Sequence, residues 1–556
     1  MLTLLLLALL QATVAAEAQT ATVTVLATTD THGYIYPYDY YTRQPAARGL
    51  AAAATLIAQV RSETPHTLLI DCGDTIQGSP LESVHQVAVR EGRTDTPEPM
   101  MLAMNRLGYE AMVVGNHEFN FGLKNIAAAR ATARFPWLSA NTATGDALEP
   151  FAPYFVKTVG GVKVAVIGVT TAAVPEWEKP EQIRGLSWTT PEEGVRRALA
   201  ALAPEKPDLV IAAVHGGIDR DPETGVVRRG EKEGDNRAWQ IAEAFPQLAA
   251  VVYGHTHRRE PGRRVGDVLL VQPRNWAMDV ARLDFTLSRR EDGSWSLVES
   301  ASRLLQVQPE TAADPEVLAL ARPYHEAAEL YLDQRVAQAR TELSGSRGRF
   351  EDTALVDAIQ EVQLHYAQAQ VSLSSLFRPQ VRVPRGSVTV RELAGLYVYD
   401  NELYAVEGDG RLLRAALENA ARYFRTCPEA SCSIGPLVDD SVAGYNFDMA
   451  QGVEYEIDLT QPVGQRVKNL RYRGAPLRDD QKLRIALNNY RAAGSGGYTM
   501  FRDAPIVWRS GREIRDLMVE YFAERGRLPE APDGNWRIVP PAAVETLVRE
   551  SATTLH

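Results

Sequence analysis

The sequence predicts an α/β protein: two β-sheets packed face to face between helices (α/β/β/α), then a second α/β domain, with a long helix joining the two. Three observations predict it. From about residue 22 to 300, strand-like apolar runs alternate with helical segments. Five of those runs, VTVLATT, TLLIDC, EAMVVG, LVIAAV and LAAVVY, each stop at a short motif carrying histidine or aspartate. Residues 311–341 then read as one helical stretch, with apolar positions three and four apart.

In order, residues 1–18 (MLTLLLLALLQATVAAEA) read as a signal peptide, with an apolar core of about 10 residues and Ala16-Glu17-Ala18 as a small-x-small cleavage site. Export to the periplasm, cell envelope or medium is therefore expected. No later stretch is apolar for the ~20 residues that a span needs, so no stable membrane span is expected. Residues 22–310 form the first domain. Helices are expected at 51–61, 97–107 and 192–203 between its strands, and VKVAVIGVTT and DVLLVQP add further strands. Residues 311–345 are expected to be a helical linker, bent or divided by Pro323. Residues 346–540 form the second domain, with DTALVDAIQEVQLHYAQA helical and VEYEIDLTQP and RIALNNYRA strand-like. A short helix and a frayed tail close the chain.

At 556 residues the chain exceeds one ordinary domain. Its net charge of −11 argues against coating a nucleic-acid polymer, which needs a basic surface. A small phosphorylated ligand stays open, because bound metals can supply local positive charge. There are three cysteines. Cys427 and Cys432 can close a small loop in an oxidising compartment, and Cys72 reads as a small core residue.

The motifs carry the chemistry. They are Asp30-Thr31-His32, Gly73-Asp74, Gly115-Asn116-His117-Glu118, His215-Gly216-Gly217 and Gly254-His255-Thr256-His257, and they hold five of the ten histidines. Open α/β sheets build sites at the C-terminal ends of their strands. Asp30, His32, Asp74, Asn116, His215, His255 and His257 make a mixed imidazole, carboxylate and amide set without thiolate. Such a set suits two divalent ions such as Mn²⁺, Zn²⁺ or Fe²⁺. Two metals can clamp a phosphoryl group for in-line displacement.

This set resembles the calcineurin-like metallophosphoesterases. The resemblance implies that Asp30, His32, Asp74 and His257 bind one metal, and Asp74, Asn116, His215 and His255 the other. It implies that His117 is not a ligand but stabilises charge on the phosphoryl or leaving oxygen. The second domain resembles that of the nucleotidases, and the branch most similar is the bacterial 2′,3′-cyclic-nucleotide 2′-phosphodiesterase/3′-nucleotidases. That narrower resemblance rests on the run Asn116 to Gly122 (NHEFNFG), on LYVYDNELYAVE, and on GYNFDMAQGVEYEIDLTQP followed by LNNYRAAGSGGY.

The family sandwiches the base between aromatic rings. Here Tyr445 or Phe447 would supply one ring and Tyr490 the other, each ring stacking for ~1–3 kcal/mol per base. Two departures bear on the substrate. Many related 5′-nucleotidases have aspartate at the position of Asn120, where the carboxylate orients the histidine. They also have an asparagine- and glycine-rich run where this chain has Ser374-Ser375-Leu376-Phe377-Arg378, of which only Arg378 is retained, as a phosphate or base-edge contact. The expected function is hydrolysis of a 2′,3′-cyclic nucleotide to a 3′-nucleotide and then to nucleoside and phosphate. The alternatives are a 5′-nucleotidase or nucleotide-sugar hydrolase, a thiosulfohydrolase on the same scaffold, and a non-catalytic nucleoside-binding protein.

Overall fold

The computed structural model describes residues 19–220, 225–227, 234–399, 401–428 and 432–554. The apolar leader at 1–18 lies outside the described residues. The first domain is built on two six-stranded sheets. In one, Thr20–Thr28, Thr67–Asp71, Ala111–Val113 and Trp137–Leu138 run parallel, with Asp279–Arg289 and Trp295–Gln306 added antiparallel. In the other, Val162–Thr170, Leu209–His215, Ala250–Tyr253 and Val268–Gln272 run parallel, flanked antiparallel by Tyr154–Val159 and Glu260–Val265.

The parallel strands are near-continuous aliphatic runs because both of their faces are buried. Val25, Ile70 and Val113 of one sheet and Val166, Ile211 and Val252 of the other share the core between the sheets. Each such side chain removed from water stabilises the fold by roughly 1.5–3 kcal/mol. Outside the first sheet pack the helices Leu50–Glu63 and Pro99–Leu107. Outside the second pack Pro191–Leu202 and Ala238–Ala244. This is the four-layer arrangement expected from the sequence.

The stretch 311–341 differs from expectation. The helix is Pro315–Leu332, capped by the Asp314 side chain, with Pro323 inside it. Val317, Ala321 and Ala328 bury it in the first domain's core, so it is anchored there rather than spanning open space. Arg335–Ala339 is a strand, not helix, because it pairs antiparallel with Gly386–Thr389 and buries Ala337 and Ala339. Tertiary pairing overrides local helical spacing here.

The second domain has a five-stranded sheet in the order Asp448–Gln451, Val371–Ser375, Lys482–Asn488, Glu402–Asp409, Ile506–Glu513. A four-stranded sheet holds Glu454–Asp458 and Trp536–Val539. Cys427 and Cys432 are joined by a disulfide, and Cys72 is free and buried. The domains meet through Arg391, which donates to the Tyr40 carbonyl, and through Arg509, whose Nη1 donates to the Glu176 carbonyl at 2.9 Å. Among the described residues no helix is long and apolar enough to cross a membrane.

Candidate active site

The motifs converge because the two sheets present the same ends of their parallel strands to one place. Asp30 and Asp74 follow strands of the first sheet, while His215 ends and His255 follows a strand of the second. The loops turn sharply there. Asp30 (φ 49°), His32 (47°), Asp74 (58°), His255 (73°) and His257 (53°) all adopt the left-handed conformation. That region is several-fold enriched in Asn, Asp and His and otherwise rare, and such strain concentrates at functional sites. Gly115 makes the close approach possible, since a Cβ there would overlap Asp74 Oδ1.

Two donor groups result. Ligand-capable atoms of Asp30, His32 and His257 lie within 4.8 Å of one another, and so do those of Asp74, His215 and His255. His215 Nδ1 donates to the Cys72 carbonyl at 2.8 Å, which turns Nε2 toward Asp74 Oδ2 and Asn116 Oδ1, each 3.0 Å away. Three acceptors thus face one point unless the imidazole carries a second proton. Burial alone would lower its pKa, but the Asp74 carboxylate outweighs burial and holds it at about 10. A divalent cation bound there would take the place of that proton. In the other group His32 Nδ1 lies 3.0 Å from the Gln77 carbonyl, so Nε2 carries the lone pair that faces His257 Nε2 at 2.9 Å. Burial, then His257, lowers His32 to about 4, so it stays neutral. Two imidazole lone pairs and the Asp30 carboxylate around one point likewise fit a cation. The residues present fit two divalent metals.

His117 lies beside these groups. Its backbone N–H donates to Asp74 Oδ1 at 2.8 Å, and its Nδ1 is 2.7 Å from Asn120 Oδ1. Asn120 Nδ2 donates to Glu178 Oε1 at 2.6 Å. Burial pushes the Glu178 carboxyl up to about 8, against the opposing pull of His117.

Several residues here were not assigned roles from sequence. Glu118, fully buried, accepts from the backbone N–H groups of Gly115 (2.6 Å), Asp74 (2.9 Å), Thr75 (2.6 Å) and Ile76 (3.2 Å), and so staples two ligand loops together. Asp235 Oδ1 lies 3.1 Å from His255 Nε2 and so holds that ring in place. Gln77 Nε2 donates to Glu513 Oε1 of the second domain at 2.5 Å, which links the neighbour of His32 to the other domain. Glu118 stood inside a recognised motif. Glu178 and Asp235 come from loops whose sequence carries no periodic signal.

In the second domain Tyr445 and Tyr490 are 41% and 43% exposed, unusual for large rings. Tyr399 joins them, with its ring centroid 6.5 Å from that of Tyr445. Burial, then the Tyr445 phenol, raises the pKa of Tyr490. Phe447 is a correction. It is fully buried against Phe424 and Trp536 and offers no face to a ligand. Gly444–Asn446 forms a 3₁₀ turn, so Tyr445 and Phe447, two residues apart, do not share a face. Arg378 is half-buried just after the strand Val371–Ser375, and its neighbour Phe377 packs edge-on against Tyr397 and Tyr399, both at 4.8 Å.

Residues 23–259 match the calcineurin-like phosphoesterase family, and residues 334–503 match the 5′-nucleotidase C-terminal domain family. The chain is 28% identical to a 2′,3′-cyclic-nucleotide 2′-phosphodiesterase/3′-nucleotidase of Haemophilus influenzae, over 92% of this chain and 86% of that one. It is 26% identical to a trifunctional nucleotide phosphoesterase of Bacillus subtilis over 92% of its own length, but spans only 38% of that longer protein. A solved structure from Staphylococcus aureus, assigned as a 5′-nucleotidase, superposes with a TM-score of 0.69 at 26% identity, covering 93% of this chain and 100% of that one. Fold, paired donor groups and family matches agree: the chain belongs to the calcineurin-like metallophosphoesterases, hydrolases of two divalent metals, and to the branch that carries a 5′-nucleotidase C-terminal domain.

Proposed function

We propose that this protein hydrolyses 2′,3′-cyclic nucleotides to 3′-nucleotides and then to nucleoside and phosphate, as an exported enzyme. The observation that carries the reading is a division of labour. The first domain gathers acceptor-only groups fit for two metals beside His117, and the second offers half-exposed tyrosines fit for a base. The Haemophilus relative's name supports the substrate class, and Asn120 in place of aspartate favours it over a 5′-nucleotidase.

Asp30, His32, Asp74 and His257 would hold one ion, and Asp74, Asn116, His215 and His255 the other. When bound, the ions supply the Lewis acidity that activates water and offsets phosphoryl charge. Asn120 holds Nδ1 of His117, which leaves Nε2 free to give a proton to a leaving oxygen. In the first step water adds to phosphorus, the bond to O2′ breaks, and O2′ takes a proton. In the second, water adds again, the bond to O3′ breaks, O3′ takes a proton to give the nucleoside, and phosphate leaves. Tyr445 and Tyr490 hold the base, and Arg378 contacts the phosphate or the base edge.

The test is phosphate release by metal-replete protein from 2′,3′-cyclic AMP, with a monoesterase added to reveal the diester step, and from 3′-AMP and 5′-AMP. Turnover of the first two with little of the third supports the reading. Dominant turnover of 5′-AMP replaces it with a 5′-nucleotidase, the reading favoured by the Staphylococcus likeness.

A further inference from the structure

Arg491 is among the largest fully buried side chains, 1% exposed, and it lies in the second domain directly after Tyr490. Burying a guanidinium is costly unless its donors are used. Here they are used on one side by a carboxylate and on the other by a loop. Nε and Nη2 donate to Asp448 at 2.8 and 2.9 Å as a bidentate fork, and Asp448 is itself 2% exposed. Nη2 also donates to the Tyr445 carbonyl at 2.6 Å, and Nη1 to Asn446 Oδ1 at 3.1 Å. The guanidinium carbon lies 5.4 Å from the centre of the Tyr490 ring and 4.4 Å from that of Tyr498. Tyr498 closes the circuit by donating to the Asn446 carbonyl at 2.9 Å. Gly496 leaves the space this needs, since a Cβ there would overlap both Asn446 Oδ1 and Arg491 Nη1.

A residue that merely filled the core would be better served by a leucine or methionine. Arg491 instead ties together two separate segments, Gly444–Asn446 and Asn489–Ala492, and each carries one half-exposed tyrosine. A planar fork can do this and a point charge cannot, because the fork serves carboxylate and carbonyl at fixed angles. A base stacks well only if the rings on its two faces keep a set separation.

We propose that Arg491, braced by Asp448, is the positioning residue of a nucleobase subsite: it fixes the backbone of Tyr445 and the underside of Tyr490, so that the two rings are presented at a set separation to a planar heteroaromatic base. This rests on the nucleotide reading of the preceding section. Arg491 does not touch substrate; it acts through the two rings.

The experiment compares 2′,3′-cyclic AMP with ribose 2,3-cyclic phosphate, which lacks the base, on the full metal-replete chain. The readout is the ratio of KM for the base-free compound to KM for the nucleotide. Arg491→Lys is expected to lower that ratio roughly tenfold, the worth of one stacking partner, with kcat on the nucleotide within about twofold of the wild type. An unchanged ratio in folded Arg491→Lys overturns the proposal. If that variant fails to fold, Asn446→Ala carries the test, because it cuts one tie to the Tyr445 loop and spares the pair with Asp448. The ratio is then expected to fall severalfold, and no fall overturns the proposal. A wild-type ratio near one overturns the base subsite itself, and the nucleotide reading with it. A large wild-type ratio that ignores both variants overturns only the role of Arg491.

Discussion

Asn120 Nδ2 donates to Oε1 of Glu178 at 2.6 Å, and this leaves the amide oxygen of Asn120 2.7 Å from Nδ1 of His117. The amide cannot rotate without losing both contacts. Its oxygen can only accept, so Nδ1 of His117 must hold a proton and Nε2 must face the site. Glu178 thus orients His117 through Asn120, as an aspartate at position 120 would do directly, but its raised carboxyl does not bring the aspartate's charge. Asn120→Ala is expected to lower kcat by roughly 10–100-fold, with little change in KM, because it loosens a group that acts on the departing oxygen. Glu178→Ala should follow it part of the way. Glu178→Gln should stay near wild type, since a glutamine oxygen still accepts. Wild-type kcat in Glu178→Ala would mean that the contact does not orient His117.

Removing the metals should also cost stability. Asp30 and Asp74 are 0% and 1% exposed, and without cations their charge is opposed by the backbone N–H groups of His255 and His117, the Thr29 hydroxyl and protonated imidazoles. Chelation is expected to abolish turnover and lower Tm, and Mn²⁺ or Zn²⁺ to restore both, since a ligand that binds only the folded state stabilises it. Asp235→Ala should release one ion of the pair roughly 10–100-fold more readily, because the partner of a ligating histidine sets its orientation. Metal content measured after dialysis against graded chelator checks this. Two ions held as tightly as in the wild type would remove Asp235 from the site.

Glu118 is a structural counterpart. Its carboxylate is the acceptor for four backbone donors of the Asp74 and Asn116 loops. Glu118→Ala leaves those N–H groups without a partner, at about 1–3 kcal/mol for each one that water cannot reach. We expect a loss of at least about 3 kcal/mol in urea unfolding, on that per-group scale, together with weakened metal binding. An unfolding midpoint equal to the wild type's would show that the loops hold without the staple.

How much of this was legible in the sequence depends on where each residue sits. Asp30, Asp74, His215 and His255 each lie at or just past the C-terminal end of a buried parallel strand, so chain position alone predicts a shared place in space. The aliphatic runs gave both sheets for the same reason. The stretch 335–339 was misread as helix because its partner, Gly386–Thr389, lies some fifty residues away and no local pattern announces the pairing. Motif position alone does not separate Tyr445 from Phe447, because the 3₁₀ turn at Gly444–Asn446 that leaves Tyr445 exposed and buries Phe447 has no spacing signal of its own. Glu178, Asp235 and Arg491 were invisible in their roles. Each acts through another residue, and single polar side chains in loops or short turns leave no spacing to read.

The last prediction concerns pH and lies away from the metals. Asp352, Asp357 and Asp533 crowd together in the second domain, with ligand atoms within 4.8 Å of one another. Burial, then the Asp352 and Asp533 carboxylates, push Asp357 up to about 8, and burial raises Asp352 as well. Backbone donors partly offset this: Asp533 N–H reaches Asp357 Oδ2 at 3.1 Å, and Gly534 N–H reaches Asp352 Oδ2 at 2.7 Å. The Tyr455 phenol, itself buried, feels the Asp352 charge. The folded pKa of Asp357 thus lies above its unfolded value, so the folded state keeps a proton that the unfolded state has released. The stabilisation is full below about pH 4, the unfolded carboxylate range, and is lost as pH rises toward 8. Asp357→Asn mimics the protonated form at every pH. The Tm of that variant minus the Tm of the wild type should therefore grow between pH 5 and 8. A difference that is flat with pH would show that Asp357 is already ionised in the folded protein at pH 5.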